Sequence, residues 1–276
     1  MNSSGSKKRN IATFGIALSG GGARGIAHIG VLDALEKYGI SPDVVSGTSM
    51  GAIVGVFYAA GFEPPEILEI VASRKFHKVV NWHLPLSGLV DIDNVLKMMK
   101  ERIKEDDFSA LKKPFHCVVA NLNSGDIEVK SEGKLFQWVM ASISIPVIFE
   151  PRIIDGQTYV DGGLMDNLPA RAIRDKCKML IGVNVNHNGP EEKVEGLKTI
   201  AERCFRLGIA KNITESIRIC DFLIEPPRTR AYSTFAFNKA KEIYKIGFDF
   251  AEKSIINAFD SVDVEKIANV MKSSNK

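Results

Sequence analysis

Pro42-Asp-Val-Val-Ser-Gly-Thr-Ser-Met-Gly-Ala-Ile-Val-Gly55 decides the fold. Asp43–Ser46 is a short strand, and Ser49–Ala60 has the composition of a helix that Gly61 ends. Between them Gly47-Thr48-Ser49-Met50-Gly51 matches G-x-S-x-G. In a strand–turn–helix setting that pattern is a sharp turn lifting a serine hydroxyl above a sheet, with glycines leaving room for a tight backbone. The helix amino terminus beneath Ser49 favours negative charge developing there. The plain alternative is a serine that caps a helix in a glycine-rich turn.

Reading outward, Ile11–Leu18 is a nearly continuous apolar run, as a strand buried on both faces requires. It enters Ser19-Gly20-Gly21-Gly22-Ala23-Arg24-Gly25, and a helix is expected from about Ala23 to Tyr38. Two readings of this loop compete. Gly20, Gly22 and Gly25 satisfy the dinucleotide-binding G-x-G-x-x-G, but that fold wants an acid at the end of the second strand, and Asp43 lies at the wrong end. Alternatively, the loop amides form an oxyanion hole beside the serine turn.

Downstream, helices are predicted to open at Pro64-Pro65-Glu66 and over Asp93–Ile103, Lys134–Ser144, 196–219, 238–258 and 262–273. Strands are predicted at Phe115–Leu122, Ile127–Lys130, Arg152–Ile154, Gln157–Val160, Lys178–Asn186 and Asp221–Ile224, with Asp155-Gly156 as a two-residue hairpin turn. This alternation predicts an α/β fold. A mostly parallel central sheet is covered by helices on both faces, in three layers, with its site at the carboxyl ends of strands. Asp161-Gly162-Gly163 follows the strand Gln157–Val160 and offers a carboxylate as base, or only a turn.

These motifs together resemble the patatin-like phospholipase family, in its bacterial form. The resemblance extends through Ser19–Leu32, Pro42–Gly55 and Val160-Asp-Gly-Gly-Leu-Met-Asp-Asn-Leu-Pro169, over about residues 11–225. It implies a serine acyl hydrolase of phospholipase A or lysophospholipase type, working through a Ser–Asp dyad and an acyl-enzyme. Ser49 would be the nucleophile and Asp161 the base. Gly20, Gly21 and Gly22 would line the oxyanion hole, with Arg24, Gly25, Gly47, Gly51, Gly162 and Gly163 as supporting motif residues. An acyltransferase or thioesterase would use the same dyad. No cofactor is implied. Burial would raise the pKa of the Asp161 carboxyl and make it a better base. The order Ser49…Asp161…His187 also permits a triad, since His187 follows a strand. His28 reads as a packed helix residue.

Composition is consistent with this reading. The 276 residues carry 36 Lys+Arg against 33 Asp+Glu, a net charge of +3, too mild to imply nucleic acid. A hydrophobic fraction of 45% excludes a disordered chain. The cysteines Cys117, Cys177, Cys204 and Cys220 have neither disulfide-framework nor zinc-ligand spacing, so a reducing, cytoplasmic setting is expected and no metal. Lys7, Lys8 and Arg9 before the run 11–18 have the outline of a signal peptide, but the run is short and feeds the glycine loop. Residues 1–10 are expected to be a disordered lead-in, 11–225 the catalytic domain and 226–276 its helical extension. The expected partner is a lipid ester. Segments 74–90, with Phe76 and Trp82, and Arg228–Phe237 are candidates for flaps touching a membrane surface. Oligomeric state is not legible.

Overall fold

Along the first strand, β1 (Ala12–Leu18), Phe14, Ile16 and Leu18 join one large apolar cluster while Ala17 joins a second, smaller one. The period of two sends alternate side chains to opposite faces, so β1 is buried on both, as its apolar run requires. In the computed structural model, which describes residues 11–73, 92–186 and 194–260, the same alternation recurs in β7 (Cys177–Val183). There Ile181 and Val183 face the large cluster and Leu180 the small one.

The remaining elements are α1 (Ala27–Lys37), β2 (Val44–Gly47), α2 (Met50–Ala60), α3 (Pro64–Ala72), α4 (Asp93–Arg102), β3 (Phe115–Asn121) and β4 (Ile127–Lys130). They continue with α5 (Leu135–Ser142), β5 (Arg152–Ile154), β6 (Gln157–Asp161), α6 (Leu197–Asn212), α7 (Thr214–Ile219), β8 (Phe222–Ile224) and α8 (Ala240–Asp260). The strands β5, β6, β3, β2, β1, β7 and β8 are successively hydrogen-bonded. The pairs from β3 through β2, β1 and β7 to β8 are parallel, whereas β4, β5 and β6 are antiparallel to their partners. α8 packs along α1, where the Tyr244 hydroxyl donates to Asp33 and Lys37 pairs with Glu252.

One detail of register positions the site. Cys117 is paired with both Gly47 of β2 and Lys130 of β4, so β2 and β4 lie on opposite edges of β3. Val119 is paired with both Glu128 of β4 and Asp161 of β6, so β6 also lies opposite β4. β2 and β6 therefore share one edge of β3 end to end. Where β2 turns away after Gly47, β6 arrives antiparallel and presents Asp161. A carboxylate on an antiparallel strand thus reaches the carboxyl end of the parallel ones.

Several boundaries differ from the sequence reading. Residues Gly22–Ile26 form a 3-10 turn before α1, because the glycine loop must curl under the site before a regular helix begins. The strand expected over Lys178–Asn186 ends at Val183; beyond it Asn184 Nδ2 donates to Glu225 and Asn186 Nδ2 to the Gly20 carbonyl. The helix expected over 196–219 is two helices meeting at Ile213. Residues 1–10, the flap 74–90, His187 and the helix over 262–273 lie outside the described residues. Asp155 and Gly156 have φ of 50° and 76°, the left-handed pair that a tight hairpin of this kind requires.

Candidate active site

Ser49 stands between β2 and α2 with φ 54° and ψ −125°, a conformation that costs a non-glycine residue on the order of 1–3 kcal/mol. The turn is held from several sides. The Ser49 N–H donates to Ser142 Oγ at 3.0 Å, and Ser142 Oγ donates to the Val118 carbonyl at 2.7 Å, tying the turn to β3. The Thr48 N–H donates to the Leu18 carbonyl at 3.2 Å. A Cβ at Gly51 would fall 2.6 Å from the Ser19 carbonyl oxygen, so only glycine lets α2 approach the end of β1 this closely. Gly47 closes β2 on the other side of the serine, and Gly25 lies against Met50.

Asp161 is 1% exposed. One carboxylate oxygen accepts the Gly163 N–H at 2.7 Å, and Gly162 and Gly163 begin the short 3-10 turn that follows. Burial pushes the carboxyl up to about 7, while hydrogen bonds from Ser49 and from the Gly163 amide pull it down. A carboxylate near neutrality is a far better proton acceptor for a hydroxyl than an ordinary aspartate.

The glycine loop can be accounted for group by group. The Ser19 N–H donates to the Val183 carbonyl, and the Ser19 carbonyl accepts His28 Nε2 at 2.7 Å. The Gly20 N–H donates to the Asn167 carbonyl at 3.0 Å, and the Gly20 carbonyl accepts Asn186 Nδ2. The Ala23 N–H donates to the Thr234 carbonyl at 2.7 Å. That leaves the amides of Gly21 and Gly22 without a hydrogen-bond partner among the described residues, both bordering the cavity of Ser49. Gly20 therefore has a different task from the one expected. Its amide is spent in anchoring the loop, and its bare Cα leaves room for the Asn167 Oδ1 and the Ser49 Cβ. Gly22 has φ 55°, and any Cβ there would strike the backbone of Thr234.

His28 is fully buried and its pKa falls to about 4, chiefly through burial. Because a carbonyl can only accept, its proton sits on Nε2, and it braces the loop as the neutral ring. It is thus the packed helix residue the sequence suggests. Arg24 is also buried, its Nε donating to the Tyr232 carbonyl at 2.8 Å while the side chain borders the cavity.

Ser49, Asp161, Gly21 and Gly22 open onto a cavity of about 420 Å³ whose other walls include Ile145, Ile148, Leu164 and Ile209. A second, smaller recess of about 50 Å³ reaches Ser49 from the side of Ile53, Phe149, Phe235 and Phe237. The Arg228–Phe237 segment borders both through Thr234, Phe235 and Phe237. Sequence reading missed Ser142, Asn167 and Asn186. Asn167 stands within the stretch quoted for the resemblance, but nothing in its spacing showed that it returns to the glycine loop. Cys117 and Cys177 are buried free thiols, and Cys204 is exposed. Among the described residues no group of three or more His, Cys, Asp or Glu could hold a metal, and no helix is long and apolar enough to cross a membrane.

A strained serine at a strand-to-helix turn, a buried carboxylate beside it and free loop amides meet at one end of a three-layer α/β/α sheet. The dinucleotide reading loses its ground, since β2 ends in this turn and not in a ribose-binding acid. A model of the patatin-like phospholipase family matches residues 16–173, and the chain belongs to that family, a family of lipid-ester hydrolases. The chain is similar to lysophospholipase NTE1 of Candida glabrata, 27% identical over 87% of this chain and 16% of that protein. It is also similar to NTE1 of Kluyveromyces lactis, 26% identical over 92% and 20%, and to that of Saccharomyces cerevisiae, 26% over 86% and 16%. The chain thus spans about a fifth or less of the length of these relatives. VipD of Legionella pneumophila shares the fold with a TM-score of 0.54 at 16% identity, over 90% of this chain and 67% of that one.

Proposed function

We propose that this chain hydrolyses acyl esters of lysophospholipid type through a Ser49–Asp161 dyad. The observation that carries the reading is the strained Ser49 facing a buried Asp161 with a pKa of about 7 at the wall of one cavity. Asp161 takes the Ser49 proton as Oγ attacks the ester carbonyl. The Gly21 and Gly22 amides receive the oxyanion, and Arg24 brings positive charge to the same cavity. When the tetrahedral adduct collapses, the carbon–oxygen bond to the alcohol breaks and Asp161 returns the proton to the leaving oxygen. Water then gives a proton to Asp161 and attacks the acyl-serine; the bond from the acyl carbon to Oγ breaks, Asp161 returns the proton to Ser49 Oγ, and the fatty acid is released.

The substrate class follows from the relatives' name and from the apolar walls at Ile145, Ile148 and Ile209, which suit one acyl chain. The exposed Val147 and Leu164 at the mouth support peripheral contact with a lipid aggregate. A fluorophosphonate probe is expected to label wild type at Ser49 and to leave Ser49→Ala unlabelled, with fatty-acid release from lysophosphatidylcholine lost in parallel. Undiminished release by Ser49→Ala would sink the proposal.

A further inference from the structure

The Gly20–Gly21 peptide unit carries one of the two free amides at the cavity, and it lies between two glycines. No Cβ on either side resists its rotation, so its direction is set by hydrogen bonding. The unit is trans and planar, and its carbonyl and N–H point opposite ways. Whatever holds the Gly20 carbonyl therefore aims the Gly21 N–H. Among the described residues the partner of that carbonyl is Asn186 Nδ2. The Gly22 amide is set differently. In its peptide unit the Gly21 carbonyl accepts the Arg24 N–H at 3.3 Å, a bond within the main chain of the 3-10 turn. One free amide thus depends on a side chain and the other does not.

Asn186 is itself firmly placed. It is 7% exposed and follows β7 by three residues. Its N–H donates to Asn184 Oδ1 at 3.1 Å, and Asn184 Nδ2 donates to Glu225 at 2.7 Å. The neighbouring Val185 N–H donates to Ser19 Oγ at 3.1 Å, and the Val185 carbonyl accepts Thr229 Oγ1 at 3.0 Å. The backbone under Asn186 is therefore tied to the end of β1 on one side and to the segment after β8 on the other. The approach to the loop is close, since a Cβ on Gly21 would fall 2.6 Å from Val185 Cγ2 and 3.3 Å from Asn186 Oδ1.

We infer that Asn186 is a positioning residue, which aims the Gly21 N–H at the oxyanion by holding the carbonyl of the same peptide unit. This rests on the Ser49–Asp161 reading and deepens it. As Ser49 Oγ bonds to the ester carbon, its proton passes to Asp161 and the carbonyl π pair moves onto oxygen. That oxygen needs the Gly21 and Gly22 N–H groups already in place, because a donor that must first turn toward it contributes far less. Without the Asn186 donor the Gly20–Gly21 unit is free to rotate, and one of the two N–H groups is no longer fixed on the oxyanion.

The test measures kcat and KM on a soluble p-nitrophenyl ester for wild type, Asn186→Ala and Asn186→Asp, at a pH where each rate has levelled off. Thermal unfolding monitors the fold. Affinity is measured for a trifluoromethyl ketone, which Ser49 converts to a hemiketal oxyanion, and for the matching alcohol, which forms none. Alanine removes the donor. Aspartate keeps the shape, but its carboxylate repels the Gly20 carbonyl and draws the Gly21 N–H to the wrong side. Asn186→Ala is expected to lose about ten- to a hundredfold in kcat with KM within about threefold, and Asn186→Asp to lose more. Ketone affinity should fall in step with kcat/KM, and alcohol affinity should stay within about threefold. If Asn186→Asp does not fold, the ketone and alcohol affinities of Asn186→Ala decide alone. A milder loss in Asn186→Asp than in Asn186→Ala, a loss carried by KM, or a ketone bound as tightly as by wild type would overturn the assignment. With wild type active and labelled at Ser49, such results leave the dyad reading standing. A wild-type protein that neither hydrolyses esters nor is labelled there would overturn the dyad reading, and this inference with it.

Discussion

On the floor of the cavity, the backbone groups of Ser19, Gly20 and Ala23 are committed to Val183, His28, Asn167, Asn186 and Thr234, and Ser49 is tied through Ser142 to β3. On the rim, Val147 is 71% exposed and Leu164 39%, and both are apolar. Each region holds a residue with positive φ, Ser49 at 54° and Val147 at 69°. Val147 sits third in a turn that the Ile148 N–H closes onto the Ile145 carbonyl at 3.1 Å, with Pro146 second. That position favours glycine or asparagine, and a β-branched side chain there is strained. Strain on the floor lifts a hydroxyl toward a buried carboxyl, whereas strain on the rim holds an apolar side chain out toward solvent. The contrast separates the proposed chemistry, which tolerates no displacement, from the proposed lipid contact, which rests on surface character.

Asp161→Asn should break the floor most completely. Without a base, kcat/KM is expected to fall about 10⁴-fold, with the fold retained. In wild type the rate should rise with pH and level off above about 7, because only ionised Asp161 accepts a proton. The stability effect runs the other way. Native Asp161 keeps its proton to higher pH than its unfolded value of 3.8 allows. Its contribution is therefore greatest below that value, declines as pH rises, and becomes a constant cost above about 7. Asp161→Asn should consequently be a few kcal/mol more stable than wild type at about pH 8, measured by denaturant unfolding. An activity profile flat from pH 5 to 9 would contradict the role given to this carboxyl.

A smaller break is Gly22→Ala. The amide survives but must move, because φ 55° and the Thr234 backbone leave no space for a Cβ. Misplacing one oxyanion donor should cost about 10²-fold in kcat at little change in KM, read from ester kinetics. The smallest effect belongs to the rim. Val147→Asn fits the left-handed turn and should raise stability by roughly 0.5–1 kcal/mol. Its activity on micellar lipid should fall about threefold relative to a soluble short-chain ester. A rim variant that damaged soluble-ester hydrolysis as much as Gly22→Ala would erase the distinction.

How much of this could be read beforehand depended on the range of the interaction. The strand–turn–helix around Ser49, the apolar run of β1 and the Asp155-Gly156 hairpin are written in neighbouring residues, and each lies where local patterning puts it. Ser142, Asn167 and Asn186 were not legible as site residues, because their partners are 93 residues away in the first case and on the glycine loop in the others. The division of labour among Gly20, Gly21 and Gly22 was hidden for the same reason. It depends on which carbonyl reaches which amide, and no composition of the loop itself encodes that.

The edge of β3 that β2 and β6 share has a consequence for assembly. Ser49 and Asp161 are 112 positions apart in the chain, yet one strand acts as the ruler that sets both. A slip of β6 by a single residue would turn the Asp161 side chain to the opposite face of the sheet and leave Ser49 without its acceptor. Misregistered chains would thus be catalytically silent, and the appearance of ester hydrolysis during refolding would time the closing of this long-range seam.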